Sequence, residues 1–198
     1  MERFLAPTRI IDWQTPAVRQ LAAELATGLG DDVAVARACF EWVRDEVRHS
    51  WDYRQNPVTC KASDVLKHRT GYCYAKSHLL AALLRANGIP AGLCYQRLSI
   101  GDDGAPYCLH GLNAVYLQRH GWYRCDARGN KPGIDAQFSP PQERLAFTVG
   151  AGGADEADLV EIWTEPSLSV VSVLENSRSV EEAAENLPDV ALLSSVKR

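Results

Sequence analysis

Thr70-Gly71-Tyr72-Cys73-Tyr74-Ala75-Lys76-Ser77-His78 runs directly into Leu79-Leu80-Ala81-Ala82-Leu83-Leu84. Thr70 and Gly71 interrupt regular structure, and the leucine/alanine run after them is strongly helix-forming, so Cys73 falls where a turn becomes a helix. The first-turn amides of a helix lack intrahelical partners and carry partial positive charge, which favours a thiolate at that position. Cys73 therefore reads as a nucleophile, and the helix it opens as the element on which the fold is built. Asn87-Gly88 supplies a left-handed stop, and Pro90 prevents continuation.

Upstream, Thr15-Pro16 reads as an N-cap with proline in the first turn, and Val18, Leu21, Ala22, Leu25 and Leu29 recur at helical spacing until Gly28 and Gly30. A second helix begins at Asp31 or Asp32 and gathers Ala36, Cys39, Phe40, Val43 and Val47 on one face. Its other face, with Arg37, Glu41, Arg44, Asp45 and Arg48, reads as solvated. His49 to Pro57 has no helical period and is expected to be an ordered loop. Ser63 is the expected cap of a short helix from Asp64 to His68.

Downstream the period changes to alternation. Strands are expected from Ala91 to the turn Gly101-Asp102-Asp103-Gly104, from Leu109 to Leu117, and from Trp122 to Asp126 after the hairpin loop Gln118-Arg119-His120-Gly121. Shorter strands are expected at Ile134 to Phe138 and Leu159 to Trp163. Gly150 to Ala154 reads as the end of the compact core. These boundaries predict a domain over residues 1–149 and a C-terminal extension over 150–198, ending in an apolar stretch from Leu168 to Leu174 and an acidic helix from Val180 to Asn186. The extension is expected to pack on the domain edge or on a second copy of the chain.

At 198 residues the chain suits one domain with its own core, and a net charge of −4 argues against nucleic acid as a partner. No apolar run approaches the length of a membrane span, and the first residues do not read as a secretory signal, so a cytoplasmic setting with reduced thiols is expected. The six cysteines are irregularly spaced, which ranks three disulfides below free thiols. Cys108 and His110 with Cys60, Cys73 or Cys125 are zinc-ligand types, but no Cys-x-x-Cys pair is present, and neither metal nor cofactor is expected.

A cysteine nucleophile needs a base, and the base needs an orienting partner. Of five histidines, His49 and His68 precede the nucleophile, His78 lies on another face of its helix and His120 sits in a turn, leaving His110 on a strand. Asp126 ends the partner strand. With a three-residue loop it falls beside Leu112, on the face of His110 and diagonal to it; with a two-residue loop it turns to the opposite face.

The order Cys73, His110, Asp126 resembles the transglutaminase-like superfamily. Trp42-Val43-Arg44-Asp45-Glu46-Val47-Arg48, Ala62-Ser63-Asp64-Val65-Leu66, Gly71-Tyr72-Cys73 with Lys76, the run from Leu79 to Ala91, Val115-Tyr116-Leu117 and Gly121-Trp122 are similar to its pattern. The resemblance departs where such proteins often carry His-x-Trp-x-Glu and Asp-Pro-Thr: this chain has His110-Gly111-Leu112-Asn113-Ala114 and Asp126-Ala127-Arg128. It implies an α+β, papain-like core, N-terminal helices with the nucleophile helix packed on an antiparallel sheet. It also implies acyl transfer at an amide bond of a peptide or protein, resolved by water or by a second amine, with hydrolysis favoured; the rival is a catalytically idle interaction domain. The Cys73 amide is one expected oxyanion donor, and Trp51, Tyr53, Gln55, Tyr72 and Asn113 are candidates for the second donor or for substrate contacts.

Overall fold

The structure is a computed structural model describing residues 1–101, 104–151, 153 and 155–190. Its first two helices are α1 (Pro16–Ala26) and α2 (Asp32–Glu46), the latter capped by the Asp31 side chain on the Ala34 amide at 2.8 Å. Then come β1 (Arg48–His49), α3 (Ser50–Tyr53), α4 (Ala62–His68), β2 (Thr70–Gly71) and α5 (Cys73–Ala86). The remaining elements are β3 (Ala91–Ser99), β4 (Tyr107–Leu117), β5 (Gly121–Cys125), β6 (Gln137–Ser139), β7 (Gln142–Arg144), β8 (Ala157–Asp158), α6 (Leu168–Asn176) and α7 (Val180–Glu185).

Helix α5 is the central element, as its apolar run dictates. Cys73 through Arg85 are buried, with α1, α2, α4, β3 and β4 packed around them. A helix apolar on all sides has no solvent face to offer and must be surrounded. The main sheet is antiparallel in the order β5-β4-β3-β8. On β4, Leu109, Val115 and Leu117 join the core shared with α5, while Leu112 and Ala114, on the other face, pack with Cys94 against Trp122, Leu145 and Ile162. Helices N-terminal to and packed on an antiparallel sheet make this the expected α+β architecture.

Several local expectations are corrected. Residues 49–57 are not a plain loop: His49 pairs with Gly71 in a parallel β1–β2 bridge, so Thr70-Gly71 is a strand rather than a break, and Ser50–Tyr53 is helical. Ser63 does not cap α4. It lies inside the helix, where its amide and hydroxyl both donate to the Asp12 carboxylate, at 2.9 and 2.5 Å. Arg37 and Arg44 are not merely solvated, because they donate to the carbonyls of Phe138 and Ala136 at 2.5 and 3.1 Å, fastening α2 to the 136–138 segment. The expected strand at 134–138 shifts to Gln137–Ser139, and that at 159–163 reduces to a bridge between Trp163 and Leu93 beside the short β8. Asp102, Asp103, Gly152 and Ala154, in the expected turn and core boundary, lie outside the described residues.

The C-terminal helices bury Val170, Val171, Leu174, Val180 and Ala183 in the same core as α5. No helix of the described residues is long and apolar enough to cross a membrane.

Candidate active site

Strand β5 ends at Cys125, opposite Asn113. Beyond that point the edge of β4 has no strand partner among the described residues, yet its amides must be satisfied. The Leu109 amide donates to the Pro188 carbonyl at 2.7 Å, and the Gly111 amide points at Cys73 Sγ at 3.4 Å. Cys73 is the first residue of α5, and its thiol meets the sheet where β5 stops.

The Leu117↔Gly121 pair leaves the three-residue loop 118–120. Continued by one residue, that register sets Asp126 beside Leu112, diagonal to His110, and the two side chains meet: His110 Nε2 is 2.7 Å from Asp126 Oδ2. The other Asp126 oxygen accepts from the Arg128 amide at 3.1 Å, and Oδ2 also accepts from the Ala146 amide at 3.1 Å. Burial disfavours the Asp126 carboxylate, but His110 and these two amides more than offset it and hold its pKa below the usual range. Burial likewise disfavours the His110 cation, but the Asp126 carboxylate and the nearby Cys73 side chain push the imidazole up to about 10. His110 thus holds the carboxylate on one side with Cys73 near it, and the Phe147 ring meets it edge-on at 4.9 Å.

These groups open into a cleft of about 760 Å³. Its walls are mainly aromatic and aliphatic: Trp51, Tyr72, Tyr74, Leu98, Leu109 and Phe147 among them. Of the candidates named from sequence, Trp51 and Tyr72 line it. The Tyr72 hydroxyl is committed to the Val180 carbonyl at 2.5 Å. Tyr53 is exposed and Gln55 lies outside the lining. Asn113 is fully buried on the α5 side, where its amide donates to the carbonyls of Ser77 and Gly92, so it ties the helix to the sheet instead of facing the cleft.

Lys76 neither meets the thiolate nor is solvated. It is buried and donates to the carbonyls of Arg44 and Val47 at the end of α2. His78 is buried against the Cys60 carbonyl at 2.8 Å, away from the cleft. All six cysteines are free. Burial pushes Cys39, Cys60, Cys94 and Cys108 up to about 12. Cys108 nonetheless lines the cleft beside His110.

His49 and Arg128, from the 49–60 and 127–133 loops expected to shape the cleft, border it, whereas sequence reasoning missed Phe147 and the α7 residues Glu181 and Glu185. Arg128 also stands in the departure Asp126-Ala127-Arg128. His49 is buried beside Asp52, with Nδ1 3.6 Å from Oδ2. Burial, reinforced by Arg128, depresses its pKa well below the usual histidine value, so its imidazole is neutral.

Residues 19–127, more than half of the chain, match the sequence profile of the transglutaminase-like superfamily. A comparison with curated proteins finds no match. Among solved structures, a candidate cysteine protease from Cytophaga hutchinsonii is 23% identical with a TM-score of 0.52, over 63% of this chain and 40% of that one. The periplasmic domain of TgpA from Pseudomonas aeruginosa is 23% identical with a TM-score of 0.47, over 63% and 45%. Red sea bream transglutaminase is 14% identical with a TM-score of 0.45, over 59% and 27%. This chain therefore spans less than half the length of each of these structures. The helix-initial cysteine, the sheet that receives it and the profile match agree: the chain belongs to the transglutaminase-like superfamily.

Proposed function

We propose that the protein is a thiol enzyme that cleaves amide bonds by acyl transfer through Cys73, His110 and Asp126. The observation that carries this reading is the 2.7 Å bond from His110 to the fully buried Asp126, with Cys73 Sγ 3.4 Å from the amide of Gly111, the residue next to His110. In this reading the Cys73 thiolate attacks the amide carbonyl carbon. His110, protonated, donates to the departing amine as the C–N bond breaks, leaving a thioester. Asp126 orients the imidazole and stabilises its cation. The Cys73 amide, free at the first turn of α5, and the Trp51 indole N–H on the cleft wall are the donors assigned to the oxyanion. Water, deprotonated by His110, then hydrolyses the thioester and restores the thiol.

The aromatic and aliphatic walls suit an amide carried by a peptide or protein with apolar flanking groups. The test is a panel of peptide, side-chain amide and isopeptide substrates, offered to wild type and Cys73→Ala with and without a labelled primary amine. Amide release by wild type alone, without amine incorporation, is the expected result. Efficient incorporation would replace hydrolysis by cross-linking, and equal turnover by Cys73→Ala would overturn the reading.

A further inference from the structure

Arg128 is only 7% exposed. An arginine is costly to bury unless its charge is paired and its donors are used. Its guanidinium grips Asp52 with two bonds, Nη1 to Oδ2 at 2.7 Å and Nη2 to Oδ1 at 3.1 Å, and Lys131 Nζ adds a third at 2.7 Å to Oδ1. Such a fork fixes geometry as well as charge. Asp52 follows Trp51 on α3, on one wall of the cleft. On the other side, the Arg128 amide is a donor to Asp126 Oδ1, and its guanidinium lies 5.7 Å from the centre of the Phe147 ring that abuts His110. One residue thus touches the Trp51 wall through its side chain and the Asp126 carboxylate through its backbone.

We propose that the Asp52–Arg128 pair is a positioning device for the reaction. It anchors residue 128 so that its amide holds the Asp126 carboxylate in the orientation His110 requires, and it fixes the Trp51 wall relative to that carboxylate. This inference rests on the reading of Cys73, His110 and Asp126 as the reacting groups. A turn bearing a fully buried carboxylate needs such an anchor, because a rotated Asp126 would lose its alignment with the imidazole.

The titratable and charged groups around His110 give the test its sign. Asp126 faces it from just beyond β5, Cys73 from α5 and His49 from β1, and Arg128 stands beyond Asp126 in the turn after β5. Lys76 of α5 and Asp52 of α3 stand behind these, and Glu156, Glu181 and Glu185 line the far side of the cleft. Deleting Arg128 as a mere positive charge would make His110 easier to protonate. Loosening Asp126 would make it harder.

The experiment is an NMR titration of the His110 imidazole in a Cys73→Ala background, where it needs no substrate and no nucleophile. Arg128→Ala is expected to lower the His110 midpoint by roughly one pH unit. Arg128→Lys, which keeps the charge without the fork, is expected to lower it less, and it carries the test if the alanine variant does not fold. With the thiol present and an active amide substrate, Arg128→Lys is expected to lower kcat roughly tenfold while KM changes little. A midpoint that stays or rises overturns the positioning role. A wild type inactive on every amide would instead sink the proposed function, and the titration would still decide the role of Arg128.

Discussion

The amide of Gly111 donates to Cys73 Sγ at 3.4 Å, and the backbone of the same glycine lies against the next residue of the helix. A Cβ on Gly111 would stand 2.9 Å from Tyr74 Cδ1, 3.1 Å from its Cα and 3.2 Å from its amide nitrogen. Two of these three atoms are backbone and cannot swing aside. The bare Gly111 lets the first turn of α5 press onto β4, which is how the thiol reaches both the sheet edge and His110.

Gly111→Ala is therefore expected to push α5 away from β4, costing on the order of 1–3 kcal/mol of stability and most of the amide-cleaving activity. Urea unfolding and a turnover assay check both. A variant with unchanged activity would show that this close approach does not set the reacting geometry.

The pH dependence follows from His110. Its pKa in the fold, about 10, lies above the ordinary histidine value, so the native state holds the proton that the unfolded chain gives up near pH 6.5. The stability it adds is fully present below that lower value and is lost as pH rises through the folded one. The general-acid role has the same sign: kcat/KM should fall on the alkaline side as His110 loses its proton. Asp126→Asn removes the main influence raising it, so the alkaline limb should move toward neutral pH and activity should drop roughly 10³- to 10⁴-fold. A limb in the same place for wild type and Asp126→Asn would contradict this.

Lys76 works in the opposite direction. Burial, aided by Arg128, lowers it to about 7, so between that pH and the ordinary lysine range the unfolded chain binds a proton that the native state does not. Its contribution makes stability rise with pH across this window. Lys76→Met removes that slope while losing the two hydrogen bonds at the end of α2, a cost of about 1–3 kcal/mol. Urea titrations at pH 7 and pH 9.5 compare the slopes; identical slopes for wild type and variant would refute a depressed Lys76.

Much of the frame was legible because it depended on local pattern. The buried run from Leu79 to Leu84 demanded a surrounded helix, and the alternation after Ala91 demanded strands. The parity that turns Asp126 toward His110 is open in the sequence between a two- and a three-residue loop, and the Leu117↔Gly121 pair decides it. What escaped was set by long-range contacts: Asp12 reaching Ser63, Arg37 and Arg44 reaching the 136–138 carbonyls, Asp52 reaching Arg128. None leaves a periodic trace in sequence. Asn113 was misjudged because it shares a strand with His110, whereas one residue of parity separates their faces, and Asn113 points to α5. His49 precedes the nucleophile in what reads as a loop, but β1 and β2 pair it with Gly71, two residues from Cys73.

Activation of Cys73 by His110 can be tested without a substrate. Native protein is treated with iodoacetamide at pH 7, and labelling of each cysteine is followed by peptide mapping for wild type and His110→Ala. Cys73 should label first, ahead of the cleft-lining Cys108 and the buried Cys39, Cys60, Cys94 and Cys125, and should slow by roughly tenfold or more in the variant. Cys73 labelling no faster than Cys108, or equally fast without His110, would contradict the account.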